Sequence, residues 1–216
     1  MFYYHPVYIL HMNGFIVVVV SKEMVMAWLS ELMSIGASIL IGLWLADFAT
    51  GCFHWLVDNY GHPDWPIIGP HYIKPSHLHH DEDMFVFELS NLVTHLYIWT
   101  AVIIVGLLFW LAGLMSLTII FACIFGFLTN VIHRWSHTRP ERNLKIIKVL
   151  QRTGLFQSTR HHTFHHLPGS DSYYCLLTDH VNPILEAIGF WKILESVFLR
   201  FGVRKHWWEN VKEPTF

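Results

Sequence analysis

The feature that most constrains this chain is a long run without ionic charge. From Leu89 through His133 the sequence contains no Asp, Glu, Lys or Arg. One transmembrane helix needs about 20 apolar residues, so this run is long enough for two. A short glycine-containing turn at 111–116 divides it. We therefore predict an antiparallel helical hairpin, with spans near 91–111 and 114–133, that inserts into a membrane.

A second apolar region lies nearer the N-terminus. Ile35–Val57 is interrupted only by Asp47, and the shorter apolar stretch Pro6–Val20 precedes it. Region 6–57 could hold two spans, or one span and an interfacial helix, and we predict two. Only 14% of the residues are charged, against about 25% in soluble domains. The expected fold is a single all-α integral membrane domain, residues 1–216, with about four transmembrane helices.

Basic residues predict the orientation of this domain. Thirteen of the fourteen Lys and Arg residues lie at or after Lys74, either in the loop 58–90 or after residue 133. The hairpin returns the chain to the side it left, so both regions share one face. The positive-inside tendency makes that face cytoplasmic.

Histidine is the abundant chemical group. Of the seventeen histidines, ten fall in four tight sets. Imidazole is the commonest metal ligand among side chains, and ten exceed the three or four that one site uses. All four sets reach the predicted cytoplasmic face, which favours a helical cap holding a two-metal site. The ten candidate ligands are His54, His77, His79, His80, His133, His137, His161, His162, His165 and His166.

The spacing within these sets suits helices. His133 and His137 are four residues apart, and so are His162 and His166. Side chains at i and i+4 project from one side of a helix, so each pair can serve one metal or two adjacent ones. His161 and His165 have the same spacing. The set at 77–80 is expected on a loop or short helix.

Two carboxylates share a helical stripe with His54. Asp47, His54 and Asp58 are spaced by seven and by four residues. A carboxylate within a span is costly unless it is paired or faces a polar interior. We predict that Asp47 and Asp58 lie behind the ligands and hold imidazole N–H groups. For Asp47 a helix-packing or capping role is an equal alternative.

Several kinds of site are excluded. The sequence has no H-E-x-x-H, no E-x-x-H, no P-loop and no C-x-x-C, so a zincin, a carboxylate-bridged ferritin-like centre and a zinc ribbon are not encoded. A net charge of −2 gives no reason to expect nucleic acid. A histidine-rich, carboxylate-poor site beside a bilayer suits iron and dioxygen acting on a lipid chain, since zinc supplies no redox chemistry.

Motifs around the histidines resemble those of one family. The chain is similar, from about Leu45 to Glu195, to the lipid desaturases of the plasmanylethanolamine desaturase group (the Kua and CarF group), which includes the plant desaturase acting on phosphatidylglycerol. The motifs that carry the resemblance are Ala46-Asp47-Phe48, His54-Trp55, Ile73-Lys74-Pro75, His79-His80, Phe127-Leu128-Thr129-Asn130, the boxes His133-Arg-Trp-Ser-His137 and His161-His162-Thr-Phe-His165-His166, Tyr173-Tyr174-Cys175, Asn182 and Gly189-Phe190-Trp191.

The resemblance implies a centre of two irons ligated by histidine, with O2 as oxidant. It also implies an electron donor such as cytochrome b5 or ferredoxin, and a double bond formed in a chain attached to a membrane phospholipid. Nine of the ten histidines match family positions, all except His77. The family has a further histidine after its H-H pair that is missing here, and His77 or, less directly, His95 is available to replace it.

Two other functions remain open at this stage. A hydroxylase would use the same centre, because the first hydrogen abstraction is common to both reactions. A non-enzymatic metal-binding membrane protein is the alternative from another class. The membrane could be endoplasmic reticulum, plastid or bacterial cytoplasmic membrane, and the oligomeric state is not predicted.

Overall fold

The computed structural model describes residues 7–12, 15–80, 91–167 and 170–205. Helices dominate these ranges, and a two-stranded hairpin precedes them. A π-helical turn, Gly69–Ile73, and a 3₁₀ turn, Pro140–Arg142, complete the regular structure. The elements in chain order are β1 Val7–Met12, β2 Phe15–Val20, α1 Lys22–Tyr60, α2 Lys74–Leu78, α3 Asn91–Leu111, α4 Leu117–Phe127, α5 Thr129–His137, α6 Lys145–Arg152, α7 Thr159–Thr163, α8 Val181–Ala187 and α9 Phe190–Arg200.

The N-terminal region departs from the prediction. Strand β1 pairs antiparallel with β2, with Val7 opposite Val20 and Met12 opposite Phe15. The prediction of two spans within 6–57 is therefore wrong, because one helix, α1, follows the hairpin. The run Ile16–Val20 is β-branched throughout, which favours a strand. The dipeptide Asn13-Gly14, flanked by apolar residues, is also the strongest short hairpin signal in a sequence.

Glycines let the long helices approach closely. A Cβ at Gly42 of α1 would lie 2.8 Å from both Phe121 Cβ and the Thr118 carbonyl oxygen of α4. A Cβ at Gly126 would lie 2.8 Å from the Val102 side chain of α3. Small residues at helix crossings are typical of membrane helices, whose association relies on close packing. These contacts build α1, α3 and α4 into one body.

The predicted hairpin is present, with one change. Helix α3 ends at Leu111 as expected, but the second helix begins at Leu117 and bends by 49° at Leu128, where α5 starts. The Thr129 hydroxyl donates to the Gly126 carbonyl at 2.8 Å, and the Trp99 indole donates to the Phe127 carbonyl at 3.1 Å. These side-chain bonds reach backbone carbonyls at the bend, where the regular helical ladder is interrupted.

By length and composition, α1 is the one helix in the described ranges that could cross a membrane unaided. The bent pair α4–α5 makes a second if it counts as a single span. The four predicted spans are therefore not confirmed. Beyond α5, the shorter helices and loops pack against the C-terminal half of α1, where an aromatic core forms around Trp55, Tyr174 and Trp191.

Candidate metal centre

Two adjoining groups of side chains converge at the C-terminal end of α1. We call them the first group and the second group. Within each group, one donor atom from every residue lies within 4.8 Å of the donor atoms of the others. The first group is His79, His133, His137, His162 and His166, and the second group is His54, Asp58, His80 and His165.

The first group brings imidazole nitrogens closer together than hydrogen bonding explains. The Nε2 atoms of His133, His137 and His162 form a triangle with sides of 2.9, 3.0 and 3.1 Å. A neutral ring nitrogen either donates or accepts. In a triangle two of the three must share one role, so at least one side is repulsive. A cation at the centre would remove that repulsion, because it accepts every lone pair.

The spacing also fits a metal ion. His166 adds a fourth Nε2 atom, 3.0 Å from that of His162. Metal–imidazole bonds are about 2.1 Å long, as in zinc sites, which places neighbouring ligand atoms of an octahedron about 3.0 Å apart. The donor set is nitrogen alone, and imidazole suits iron, copper, nickel and zinc.

The second group surrounds a carboxylate oxygen. Oδ2 of Asp58 lies 3.1 Å from Nε2 of His54, 3.1 Å from Nε2 of His80 and 3.4 Å from Nε2 of His165. Asp58 and His54 are four residues apart on α1, so the helix aims both at one point. This group mixes nitrogen and oxygen donors, whereas the first contains nitrogen only.

Backbone carbonyls orient at least three of the eight histidines. His54 Nδ1 donates to the Tyr174 carbonyl at 3.0 Å, and His165 Nδ1 donates to the Ser172 carbonyl at 2.9 Å. His79 Nδ1 donates to the Ser76 carbonyl. A carbonyl only accepts, so each of these rings carries its hydrogen on Nδ1 and turns the Nε2 lone pair inward. Such outer contacts are what metal-ligating histidines usually have.

Consecutive histidines link the two groups. His79 belongs to the first group and His80 to the second, and their ring centroids are 4.5 Å apart. His165 belongs to the second group and His166 to the first, and their ring centroids are 5.5 Å apart.

The helix expected over residues 161–166 is only partly present. Helix α7 ends at Thr163, and His165 N–H bonds to the carbonyl three residues back, which tightens the turn.

Burial keeps the imidazoles of His79, His162 and His166 neutral. Burial, followed by the charges of His80 and His133, holds the pKa of His79 well below its usual range. Burial, with His133 next, does the same to the pKa of His162. Burial and then His165 lower the pKa of His166 to about 2. Neutral imidazole is the form that binds metal.

Two of the ten candidate ligands lie outside both groups. His161 contacts Asp179 at 3.8 Å through Nδ1 and Asn182 at 3.3 Å through Nε2. His77 donates from Nε2 to the Val57 carbonyl at 3.0 Å. His95, which was also available to replace the family histidine, belongs to neither group and stacks on Trp99 with a centroid distance of 5.2 Å.

Asp58 lies elsewhere than predicted, and Asp47 fits the alternative role in packing and capping. Asp58 stands among the second-group donors instead of behind them. Asp47 is fully buried and accepts hydrogen bonds from Leu177 N–H at 2.6 Å, Thr178 N–H at 3.0 Å and the Thr178 hydroxyl at 2.6 Å. The recorded bonds of Asp47 thus go to a backbone segment and a hydroxyl, where an imidazole was expected.

Comparison with known proteins identifies the family of the chain. A family model described as the lipid desaturase domain matches residues 43–208. The chain belongs to the lipid desaturase family. That match covers every residue of both groups, and it covers somewhat more of the chain than the motifs in the sequence do.

Three relatives indicate how far the likeness extends. A probable fatty acid desaturase of Acanthamoeba polyphaga mimivirus is 37% identical over 73% of this chain and 79% of its own length. Plasmanylethanolamine desaturase 1 of Mus musculus is 30% identical over 74% of this chain and 63% of its own length. The plasmanylethanolamine desaturase of Myxococcus xanthus is 28% identical over 74% of this chain and 59% of its own length. No solved structure matches significantly.

The roles of some residues at the site had no signal in the sequence. The carbonyls of Ser172 and Tyr174 orient second-group histidines, yet any residue has a carbonyl. Asn182 belongs to the family motifs, but its position in the sequence does not indicate its partners. Its side chain bonds to both the N–H and the carbonyl of Cys175, each at 2.9 Å, and it thereby fixes the segment that carries those carbonyls.

Proposed function

We propose that this chain is an integral-membrane di-iron lipid desaturase that uses O2 to place a double bond in an acyl or alkyl chain of a phospholipid. The observation that carries the proposal is the pair of adjoining groups, with eight histidines and one carboxylate whose donor atoms converge. One structural zinc site uses four ligands, so nine donors exceed what a single such site needs. The family contributes the reaction class.

The first group would hold one iron through nitrogen atoms alone, and the second would hold the other with Asp58 included. Bound there, two irons supply the redox chemistry by which O2 removes two hydrogens from an unactivated carbon chain. Electrons would come from an external carrier of the cytochrome b5 or ferredoxin class. The recorded contacts assign no protein group to general-base catalysis.

The residues of the chain have three tasks in this proposal. The Nδ1 bonds of His54, His79 and His165 fix which nitrogen faces the centre. The burial of His79, His133, His162 and His165 keeps bulk water away from it. The third task is substrate access. Exposed apolar side chains cover α1, α3 and α4, among them Leu32, Ile104, Leu108 and Ile120, and a bilayer would cover them.

In this arrangement α1 and the hairpin α3–α4 are embedded in the membrane, and the histidine face is cytoplasmic. The bend at Leu128 brings α5 out of the hairpin direction, so that His133 and His137 reach the residues that follow α1. A lipid chain would approach from the apolar side of this body.

The test is lipid analysis of a host that lacks a related desaturase, with and without the gene. We expect new phospholipid species lighter by two hydrogens, absent when His162→Ala replaces the wild-type chain. His71→Ala is the matched control, because His71 is exposed and belongs to neither group. Species heavier by one oxygen would instead identify a hydroxylase. Unchanged lipids in a host with a suitable electron donor would contradict both reactions.

A further inference from the structure

The segment 172–178 runs beside the second group and touches two of its members. Its Ser172 carbonyl accepts from His165 Nδ1 at 2.9 Å, and its Tyr174 carbonyl accepts from His54 Nδ1 at 3.0 Å. His165 and His54 come from distant parts of the sequence. One short segment therefore sets the orientation of both. In the first group, His79 is oriented by the Ser76 carbonyl instead.

Three fully buried polar side chains hold this segment. Asp47 accepts from Leu177 N–H, Thr178 N–H and the Thr178 hydroxyl at 2.6 to 3.0 Å. Asn182 bonds to both sides of the Cys175 backbone at 2.9 Å. Gln157 donates from its side chain to the Cys175 carbonyl at 2.6 Å. All three side chains have a relative exposure of 0%.

Two backbone features show that the position of the segment is tightly determined. A Cβ at Gly51 of α1 would lie 2.5 Å from Cys175 Sγ and 3.1 Å from the Cys175 backbone, so α1 approaches the segment as closely as a glycine allows. Tyr173, between the two carbonyls, has φ 62°. A bulky residue rarely adopts this left-handed conformation, and such strain persists only where the surroundings over-determine it.

Asp47 is the unusual member of this set. It lies in the middle of α1, in an apolar sequence, and its recorded bonds are to N–H and O–H donors. An apolar residue would avoid the cost of burying a carboxylate. A carboxylate, however, accepts from the two consecutive N–H groups and the hydroxyl at once, and it ties the segment to the same helix that carries His54 and Asp58.

We propose that Asp47 is a positioning residue for the second group: through segment 172–178 it holds the two carbonyls that orient His54 and His165, and it sets the metal affinity of that group and not of the first. This inference rests on the proposed two-metal centre. A purely structural role would instead predict that losing Asp47 weakens the whole fold and both groups alike.

The experiment is anaerobic titration of the purified full-length chain with cobalt(II), whose visible absorption reports coordination. We expect the wild-type chain to bind two equivalents. In Asp47→Asn and Asp47→Ala the second-group equivalent should weaken by about 10- to 100-fold, the usual effect of removing an outer partner, while the first-group equivalent stays unchanged. Thr178→Val and Asn182→Ala loosen the same segment by other routes and should give the same selective loss.

Gly42→Ala is the matched control on the same helix. It forces α1 against α4 without touching the segment, so it should lower the melting temperature and leave both cobalt affinities unchanged. Equal weakening of both equivalents in the Asp47 variants would overturn the inference, and so would an unaltered second equivalent in Asp47→Ala. A wild-type chain that does not bind two equivalents would instead contradict the two-metal centre itself.

Discussion

At the scale of single residues, two histidines that are adjacent in the sequence have different surroundings. His161 and His162 are adjacent, and sequence and family resemblance alike make both of them ligands. In the structure His162 faces His133 and His137, whereas His161 faces Asp179 and Asn182. We predict that His162→Gln lowers bound iron to about half of the wild-type content. The first group then loses the ligand whose Nε2 atom lies beside the Nε2 atoms of three other members.

His161→Gln is the comparison for that prediction. Glutamine can still bond to Asp179 and Asn182, so the iron content measured by mass spectrometry should equal that of the wild-type chain. Equal iron loss in the two variants would show that His161 is a ligand after all. The difference could not be predicted from sequence, because four residues of spacing say nothing of which side of a five-residue helix faces the centre.

At the scale of elements, the bend between α4 and α5 decides whether His133 and His137 reach the centre. Trp99 of α3 donates to the Phe127 carbonyl at this bend. We predict that Trp99→Phe leaves that carbonyl without its donor and lowers the free energy of unfolding by about 1–3 kcal/mol, as measured by thermal denaturation in detergent. Iron content should fall with it.

Trp110→Phe makes the same chemical change on the same helix at a side chain that is 64% exposed. It should change neither stability nor iron content. Equal stability of the Trp99→Phe and Trp110→Phe variants would show that the bend does not depend on Trp99.

The elements also show what sequence can predict. The hairpin followed from the absence of charge in 89–133, a signal that lies within one continuous stretch. The bend depends on Trp99 meeting a carbonyl 28 residues away, and segment 172–178 depends on Asp47, 130 residues from Leu177. No periodicity in the sequence connects such partners. The N-terminal hairpin is a different case, because its signals, Asn13-Gly14 and the β-branched run Ile16–Val20, lie within the sequence. Apolarity, on which the prediction of two spans relied, does not by itself separate a short strand from a helix.

At the scale of the whole molecule, the proposed topology places α6 and the hairpin turn on opposite faces of the membrane. Lys145 and Ala112 are both exposed. In intact bacterial cells, a thiol reagent that does not cross membranes should label Ala112→Cys, and should label Lys145→Cys only after lysis. Labelling of Lys145→Cys in intact cells would place the histidine face outside and would contradict the positive-inside assignment.

In the whole molecule, the two groups are proposed to hold two irons. The most direct measurement is iron per chain in protein purified from iron-replete cells, for the wild type and for one variant of each group, His137→Ala and His54→Ala. We predict about two irons per wild-type chain and about one in each single variant, because each change removes a ligand from a different group. A wild-type chain that contains zinc alone, or that loses no iron in either variant, would contradict the account.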